Sequence, residues 1–244
     1  MDFWLRTSGT WINLTTVALG TVLGLTLGRY LTTQMQKTIA QGVGLVALWI
    51  GLQMAGALSE AGTARIDGAI LGLIAIAVGG AIGEALDIEG RLARLGDRLR
   101  RSIGSGGRFT EGFVTASLLF CVGPMAVLGS IDNGISGDNT ILVLKASMDG
   151  IASIVLGSIY GVGVGFSVLP VVVYQGSISL LAGLAASAFP DPTSDPRVLL
   201  LTGVGGLMVA GIGLNLLEVG KIRLGSFLPA LAIAPLLQQL AASL

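Results

Sequence analysis

Eight apolar segments, most of them close to twenty residues long, follow one another at 11–31, 40–58, 66–83, 113–131, 141–166, 168–189, 198–217 and 222–243. Crossing a bilayer takes ~20 apolar residues in helical conformation. No water reaches the hydrocarbon core, so every backbone N–H and C=O there must bond within the protein, which leaves helices and closed barrels as spanning structures. Uninterrupted apolar runs of this length read as helices. The sequence therefore predicts an all-α integral membrane protein with about eight transmembrane helices. The stretch 141–189 also reads as one span plus a re-entrant segment, and the division is placed near Ser167–Pro170. MDFWLR at the start is short and weakly basic, and no small-residue cleavage site follows span 1, so that span is expected to stay in the mature protein.

The 38 glycines show no collagen-like period and are scattered through the apolar segments. Small residues let membrane helices approach closely. Gly20, Gly24 and Gly28 form such a ridge on span 1, suited to packing inside one subunit or to a homodimer seam. Formal net charge is zero, which gives no pointer to a nucleic-acid partner. Cys121 is the one cysteine, so an intrachain disulfide and a cysteine metal cluster are excluded. Histidine is absent, which removes the commonest general base and transition-metal ligand.

An internal repeat gives the chain its plan. Residues 42–54 align with 204–216 at an offset of 162, and Gly44, Leu45, Ile50, Gly51 and Leu52 match Gly206, Leu207, Ile212, Gly213 and Leu214. GAILGLIAIAV at 68–78 aligns with GSFLPALAIAP at 225–235 after a five-residue deletion. Spans 1–3 then recur as spans 6–8. Five spans precede the second copy, so the copies run in opposite directions, the inverted-topology plan of many secondary transporters. The expected organisation is a single membrane domain, 1–244. Within it lie repeat 1 (9–83), an arginine-rich segment (86–108), a central broken-helix segment (113–166) and repeat 2 (168–243).

Basic residues set the expected orientation. Loops after spans 1, 3 and 7 hold Arg29, Lys37, Arg91, Arg94, Arg98, Arg100, Arg101, Arg108, Lys221 and Arg223. The opposite side has only Arg6, Arg65, Lys145 and Arg197, whereas the loop after span 6 brings Asp191 and Asp195. The richer side is expected in the cytoplasm of a bacterial inner membrane, with both termini outside. Leu86, Leu92, Leu95, Leu99 and Ile103 recur at near-helical spacing among the loop arginines, a pattern that suits a helix lying on an anionic leaflet.

Residues 113–149 carry most of the candidate chemistry. Gly123-Pro124 interrupts an apolar segment, and proline there should kink or break the helix and free backbone groups. Asp132, Asn133, Asp138 and Asn139 follow, then Lys145, Ser147 and Asp149 on the next segment. Ionisable groups at membrane depth are expensive and default to function. Lys145 and Asp149 are four apart and share a helical face. The offset of 162 also pairs Asn13 with Gln175, Thr15 with Ser177, and Gln53 with Asn215. The first two pairs suit solute or ion coordination about a pseudo-twofold axis, or plain interhelical hydrogen bonding. Gln53 and Asn215, near span ends, suit capping and interface roles.

Enzyme motifs fail on inspection. GISG at 134–137 resembles the rhomboid serine motif, but no histidine base exists, and the residues before Asp138 depart from the aspartyl intramembrane pattern. A Lys145–Ser147 dyad would need residues two apart to face each other, which a helix does not allow. No phosphate loop or dinucleotide fingerprint is present.

GFVTASLLFCVGPMAVLGS, the Asp-Asn-Gly and Ser-Gly-Asp that follow, KASMDGIAS, LPVVVYQGSISLLAG and GIGLNLL together resemble the YqgA/YdfK-type bacterial membrane proteins, a domain family of unknown function. GTWIN near the start and RLGSFLPAL near the end extend the likeness over nearly the whole chain. The resemblance implies a bacterial multi-spanning inner-membrane protein and supplies no residue roles.

The leading expectation is a small secondary transporter that moves an ion or small polar solute by alternating access. Its site region is Gly123, Pro124, Lys145, Ser147, Asp149, Asn13, Gln175, Thr15 and Ser177. Asp149 would carry or balance a cation, Lys145 would neutralise it or hold an anionic group, and the amides would orient. Free carbonyls near Gly123 add hard-oxygen ligands for Na⁺ or another hard cation. The alternatives are a non-transporting scaffold or regulator acting through the arginine-rich loop and, third, an ion channel.

Overall fold

A computed structural model of the chain describes residues 2–185 and 195–243, so Asp191 and the last residues of the sixth expected span, 186–189, lie outside the described residues. In chain order the helices are α1 (Phe3–Arg6), α2 (Ser8–Gly28), α3 (Thr33–Ala55, extended by a 3-10 turn Gly56–Glu60), α4 (Gly68–Ala85), α5 (Ile88–Ile103), α6 (Phe109–Cys121), α7 (Pro124–Ser136) and α8 (Thr140–Tyr160). A 3-10 segment Gly161–Ser167 leads to α9 (Val168–Ala185), then α10 (Pro196–Leu216), a 3-10 turn Leu224–Phe227 and α11 (Leu228–Ala242). No strand occurs among the described residues.

Six described helical stretches are long and apolar enough to cross a membrane, and the bent pair α6–α7 makes a seventh candidate. The bend is 61°. Gly123, at φ +137, sits in a region open to glycine, and Pro124 starts the second half-helix.

One of the six stretches, Thr140–Ala182, is 43 residues long. At 1.5 Å per residue that is about twice the span a bilayer needs. Contacts with α2 show how it is used. A Cβ on Gly20 would lie 3.0 Å from Ser153, and one on Gly28 would lie 3.1 Å from the Cα of Ser158, so α2 and α8 run parallel. Asn13 meets Gln175, whereas Gly165 approaches Thr21, so α9 runs antiparallel to α2. The chain therefore reverses between α8 and α9, and Gly161 at φ +81 supplies a backbone conformation that L side chains resist. The two helices are thus antiparallel, and the reversal falls at Gly161–Ser167, earlier than the expected Ser167–Pro170 division.

The described chain forms two interleaved compact units. The first comprises 2–43, 93–121 and 125–185. Its spine is the close crossing of α2 and α8, where Gly20, Gly24 and Gly28 lie against Gly150, Ser153, Gly157 and Ser158. The glycine ridge is thus used inside the chain. The homodimer seam expected through it is displaced, because α8 already occupies that face. Asn133 on α7 closes the start of α2: its Oδ1 accepts from Gly9 N at 3.1 Å, and its Nδ2 donates to Leu5 O and Ser8 Oγ.

The second unit comprises 44–92, 122–124 and 195–243. Here α3 and α10 cross antiparallel through glycines: a Cβ on Gly44 would lie 3.0 Å from Gly213 O, and one on Gly206 would lie 2.7 Å from Gly51 O. The helices α4 and α11 also pair antiparallel, Gly79 against Ala230 and Gly83 against Ser226. Arg223 donates to Glu84 and to Asp87, and Glu84 also accepts from Ser226 Oγ at 3.0 Å. Val122 and Gly123, at the α6–α7 break, approach Gly205 of α10.

Large apolar side chains such as Leu23, Trp49, Leu73, Ile151, Val173 and Leu240 are exposed on the helices' outer faces. A chain that turns these outward while burying charge has lipid as its surrounding solvent.

Candidate functional site

The interior of the first unit holds a charged and amide cluster. Lys145 and Asp149 stand one turn apart on α8, their side chains 7% and 11% exposed, and form an ion pair. Asn13 comes from α2 and Gln175 from α9, both fully buried. Asn13 Nδ2 donates to Asp149 Oδ2 at 3.0 Å and to Gln175 Oε1 at 3.3 Å. Three helices thus converge on one hydrogen-bonded chain: Lys145, Asp149, Asn13, Gln175.

The chain of bonds has a fixed polarity. An ionised carboxylate only accepts, so Asn13 must turn its amide nitrogen toward Asp149. That nitrogen then takes the carbonyl oxygen of Gln175. The opposite ends of both amides are left over, and Asn13 Oδ1 and Gln175 Nε2 have no partner among the described residues. Thr10 Oγ1 and Ser179 Oγ are likewise buried and unpartnered. Thr10 lies three residues before Asn13 and Ser179 four after Gln175, each on the face of its own helix that carries the amide. Because α2 and α9 run antiparallel, both positions are one turn along the same direction of the seam. Buried polar atoms are nearly always satisfied, and here four without a partner among the described residues lie in adjacent turns.

The sequence expectations separate at this point. Asn13, Lys145, Asp149 and Gln175 come together. Thr15, Ser147 and Ser177 do not: all three are exposed, and Thr15 Oγ1 and Ser147 Oγ donate to Trp11 O and Val143 O of their own helices. Each lies two residues from a cluster member, about 200° round the helix, which points it away. Gly123 and Pro124 belong to the second unit, apart from the unit that holds the four. Asn215 does local work, donating to Ile222 O and accepting from Ile222 N, both at 2.8 Å, and Gln53 is exposed. Asp138 is exposed, and the hydroxyl and backbone N–H of Thr140 hold its carboxyl below the usual range. Thr10 and Ser179 were missed by the offset, which tests for equivalence between copies. A search for polar residues one turn from Asn13 and Gln175 finds them.

No group of three or more Cys, Asp or Glu that could hold a metal occurs among the described residues. Cys121 is buried within Coulombic reach of Lys145 and Asp149.

Comparison with known proteins adds kinship. The sequence model of the family described as "Protein of unknown function (DUF554)" matches residues 8–239. The "Uncharacterized membrane protein YdfK" of Bacillus subtilis (strain 168) is 30% identical over 230 residues, 93% of each chain. The "Uncharacterized protein YqgA" of Escherichia coli (strain K12) is 25% identical over 233 residues, 93% of this chain and 94% of the relative. No solved structure matches.

Proposed function

The chain belongs to the DUF554 family of unknown function, and from that premise we propose that it is a small secondary transporter that moves an ion or small polar solute by alternating access. The observation that carries the proposal is the Lys145–Asp149–Asn13–Gln175 chain with its unpartnered ends, buried where three apolar helices meet. A purely structural ion pair gains little from orphaned amides beside it, since each unsatisfied buried group costs ~1–3 kcal/mol. A solute site gains from them.

The proposed frame is eight crossings with an inverted repeat. Its support is that each pair of counterparts, α2 with α9, α3 with α10 and α4 with α11, packs antiparallel within its own unit. Gly44 meets Gly213 while Gly51 meets Gly206, the reciprocal exchange that a twofold axis generates at an offset of 162. Asn13 and Gln175 touch across the same kind of axis. Substrate sites at such repeat interfaces are a recurring design.

The proposed setting is a bacterial inner membrane with the loop bearing α5 in the cytoplasm and both termini outside. Arg91, Arg94, Arg98 and Arg101 are exposed on α5 together with Leu95 and Ile103, which fits a helix seated at an anionic lipid surface. That seat favours anchoring over the scaffold alternative.

The test is a thermal-stability screen of the detergent-purified protein against inorganic ions, amino acids and organic acids. Binding to the native state raises stability by RT ln(1 + [L]/Kd), ~2.7 kcal/mol at a hundredfold excess over Kd. At least one class is expected to stabilise the protein and to lose that effect in Gln175→Leu. Stabilisation that survives unchanged in Gln175→Leu and in Asn13→Leu removes the site.

A further inference from the structure

The hydrogen-bonding capacity of the cluster is lopsided, and from it we infer that the solute is a small hydroxycarboxylate, bound together with a proton. The inference rests on the transporter proposal above and gives its site a substrate class.

Donors exceed acceptors. The Lys145 ammonium has three N–H groups, and Asp149 is its hydrogen-bond partner. Gln175 Nε2 brings two more N–H groups with no partner among the described residues. Both lie on the same bonded chain as Asp149 and Asn13. A hard cation asks for the reverse, a shell of oxygens, and would meet an ammonium and an amide N–H₂ instead. A carboxylate has two oxygens that accept from both, and a charged acceptor makes the stronger bonds. On the other side Asn13 Oδ1 wants a donor, which a plain alkanoate lacks and a 2-hydroxy group supplies. Thr10 and Ser179, one turn further along the seam, offer hydroxyls that donate or accept and so fit a solute hydroxyl.

Charge balance brings in the proton. Empty, the site is neutral, with Lys145 positive and Asp149 negative. A bound carboxylate alone would leave a net negative charge in a buried membrane interior, which is costly. If a proton from solvent adds to a carboxylate oxygen of Asp149, Lys145 passes from Asp149 to the solute and the total returns to zero. Other titratable groups near Asp149 do not supply the compensation. The helix α2 carries none, α6 presents the thiol of Cys121, and α9 presents the phenol of Tyr174. At the end of α7, Arg6 donates to Gly134 O and Asp132 couples to Asp138. Solute and proton therefore bind as a neutral pair.

The experiment measures proton uptake in weakly buffered detergent solution when glycolate, L-lactate or L-glycerate is added to the full-length protein. Lactamide and sodium chloride serve as uncharged and cation-only probes. The expected result is thermal stabilisation by at least one of the three acids, with about one proton taken up per acid bound and weaker binding as pH rises, as linkage requires. Asp149→Asn imitates the protonated state, so it should bind the same acid with no proton uptake and little pH dependence. Gln175→Leu, which keeps the ion pair, should lose most of the acid response while remaining folded. If Asp149→Asn does not fold, the uptake in the unmodified protein and the loss in Gln175→Leu still decide the matter. Acid binding without proton uptake overturns the inference. So does equal stabilisation by lactamide, or stabilisation by sodium chloride alone, and either would leave the transporter proposal standing because a solute still uses the site. No stabilisation by any of the five probes overturns the substrate class, and the broader screen then decides the transporter proposal separately.

Discussion

The interiors of the two units are built from different chemistry. The first buries Thr10, Asn13, Ser117, Asn133, Lys145, Asp149, Gln175 and Ser179, whereas the described buried polar side chains of the second are Ser226 and Gln238. Both units bring backbones together at glycines, the first where α2 crosses α8 and the second with Gly44, Gly51, Gly206 and Gly213 at one crossing and Gly79 and Gly83 at another. Close backbone approach gives dispersion contacts and no place for water or solute. The first unit spends part of its packing on groups that lipid alone would expel. What separates the units is the buried charge and amide of the first.

The comparison breaks most visibly at Asp149. Asp149→Leu leaves the Lys145 ammonium uncompensated and should destabilise the protein by ~3–5 kcal/mol, the range for a broken buried pair. The double replacement Lys145→Met with Asp149→Leu should recover most of that loss in a thermal melt while abolishing ligand-dependent stabilisation. If the double variant is as unstable as the single one, the ion pair holds the fold together and the contrast between the units is weaker than drawn.

A smaller effect sharpens the other side. The Cβ of a residue at 206 would meet Ala55 N and would lie 2.7 Å from both Gly51 O and the Cβ of Met54. Gly206→Leu should therefore cost ~1–3 kcal/mol by overpacking. Its response to a bound solute, measured as the shift in melting temperature, should match that of the unmodified protein. A lost response would mean that the glycine crossing takes part in binding.

The smallest effect is a titration. Asp195 caps α10 by accepting from Arg197 N at 2.8 Å, and the hydrogen bond from the Arg197 side chain holds its carboxyl below the usual range. A depressed carboxylate contributes stability above its unfolded pKa of ~3.9 and loses it as pH falls through the folded value. Asp195→Ala should cost about 1 kcal/mol at neutral pH, the ordinary worth of an N-cap. The gap between melts of the variant and the unmodified protein should begin to close as pH falls below about 4 and vanish below the depressed folded value. A gap that persists in acid would assign the cost to packing.

Much of this was legible before the structure. Length and hydropathy announced the helices because lipid leaves the backbone no other bonding partners. Proline announced the break at 123–124. The offset of 162 paired Asn13 with Gln175, and the two meet at 3.3 Å. The same offset offered Thr15 and Ser177, and there it failed. Alignment carries no information on which way a helix turns, and two residues along is nearly the opposite face. The glycine ridge of α2 was legible as a close crossing, but its partner was not, since nothing in the fourfold spacing of GTVLGLTLG distinguishes α8 from a second copy. Asn133 read as loop polarity, yet it folds back onto Gly9 through a contact 124 residues distant in sequence.

Counterflow in proteoliposomes tests the central claim, that the polar interior of the first unit is a solute path, most directly. Vesicles containing the purified protein are loaded with L-lactate, and entry of external labelled L-lactate is followed, with glycolate and L-glycerate in parallel. Transient accumulation is expected with at least one of the three, reduced at least tenfold in Gln175→Leu and in Asn13→Leu, and retained in Gly206→Leu. A tenfold loss corresponds to ~1.4 kcal/mol, within the worth of one hydrogen bond to a charged group. Accumulation that persists at full rate in both Gln175→Leu and Asn13→Leu would contradict it.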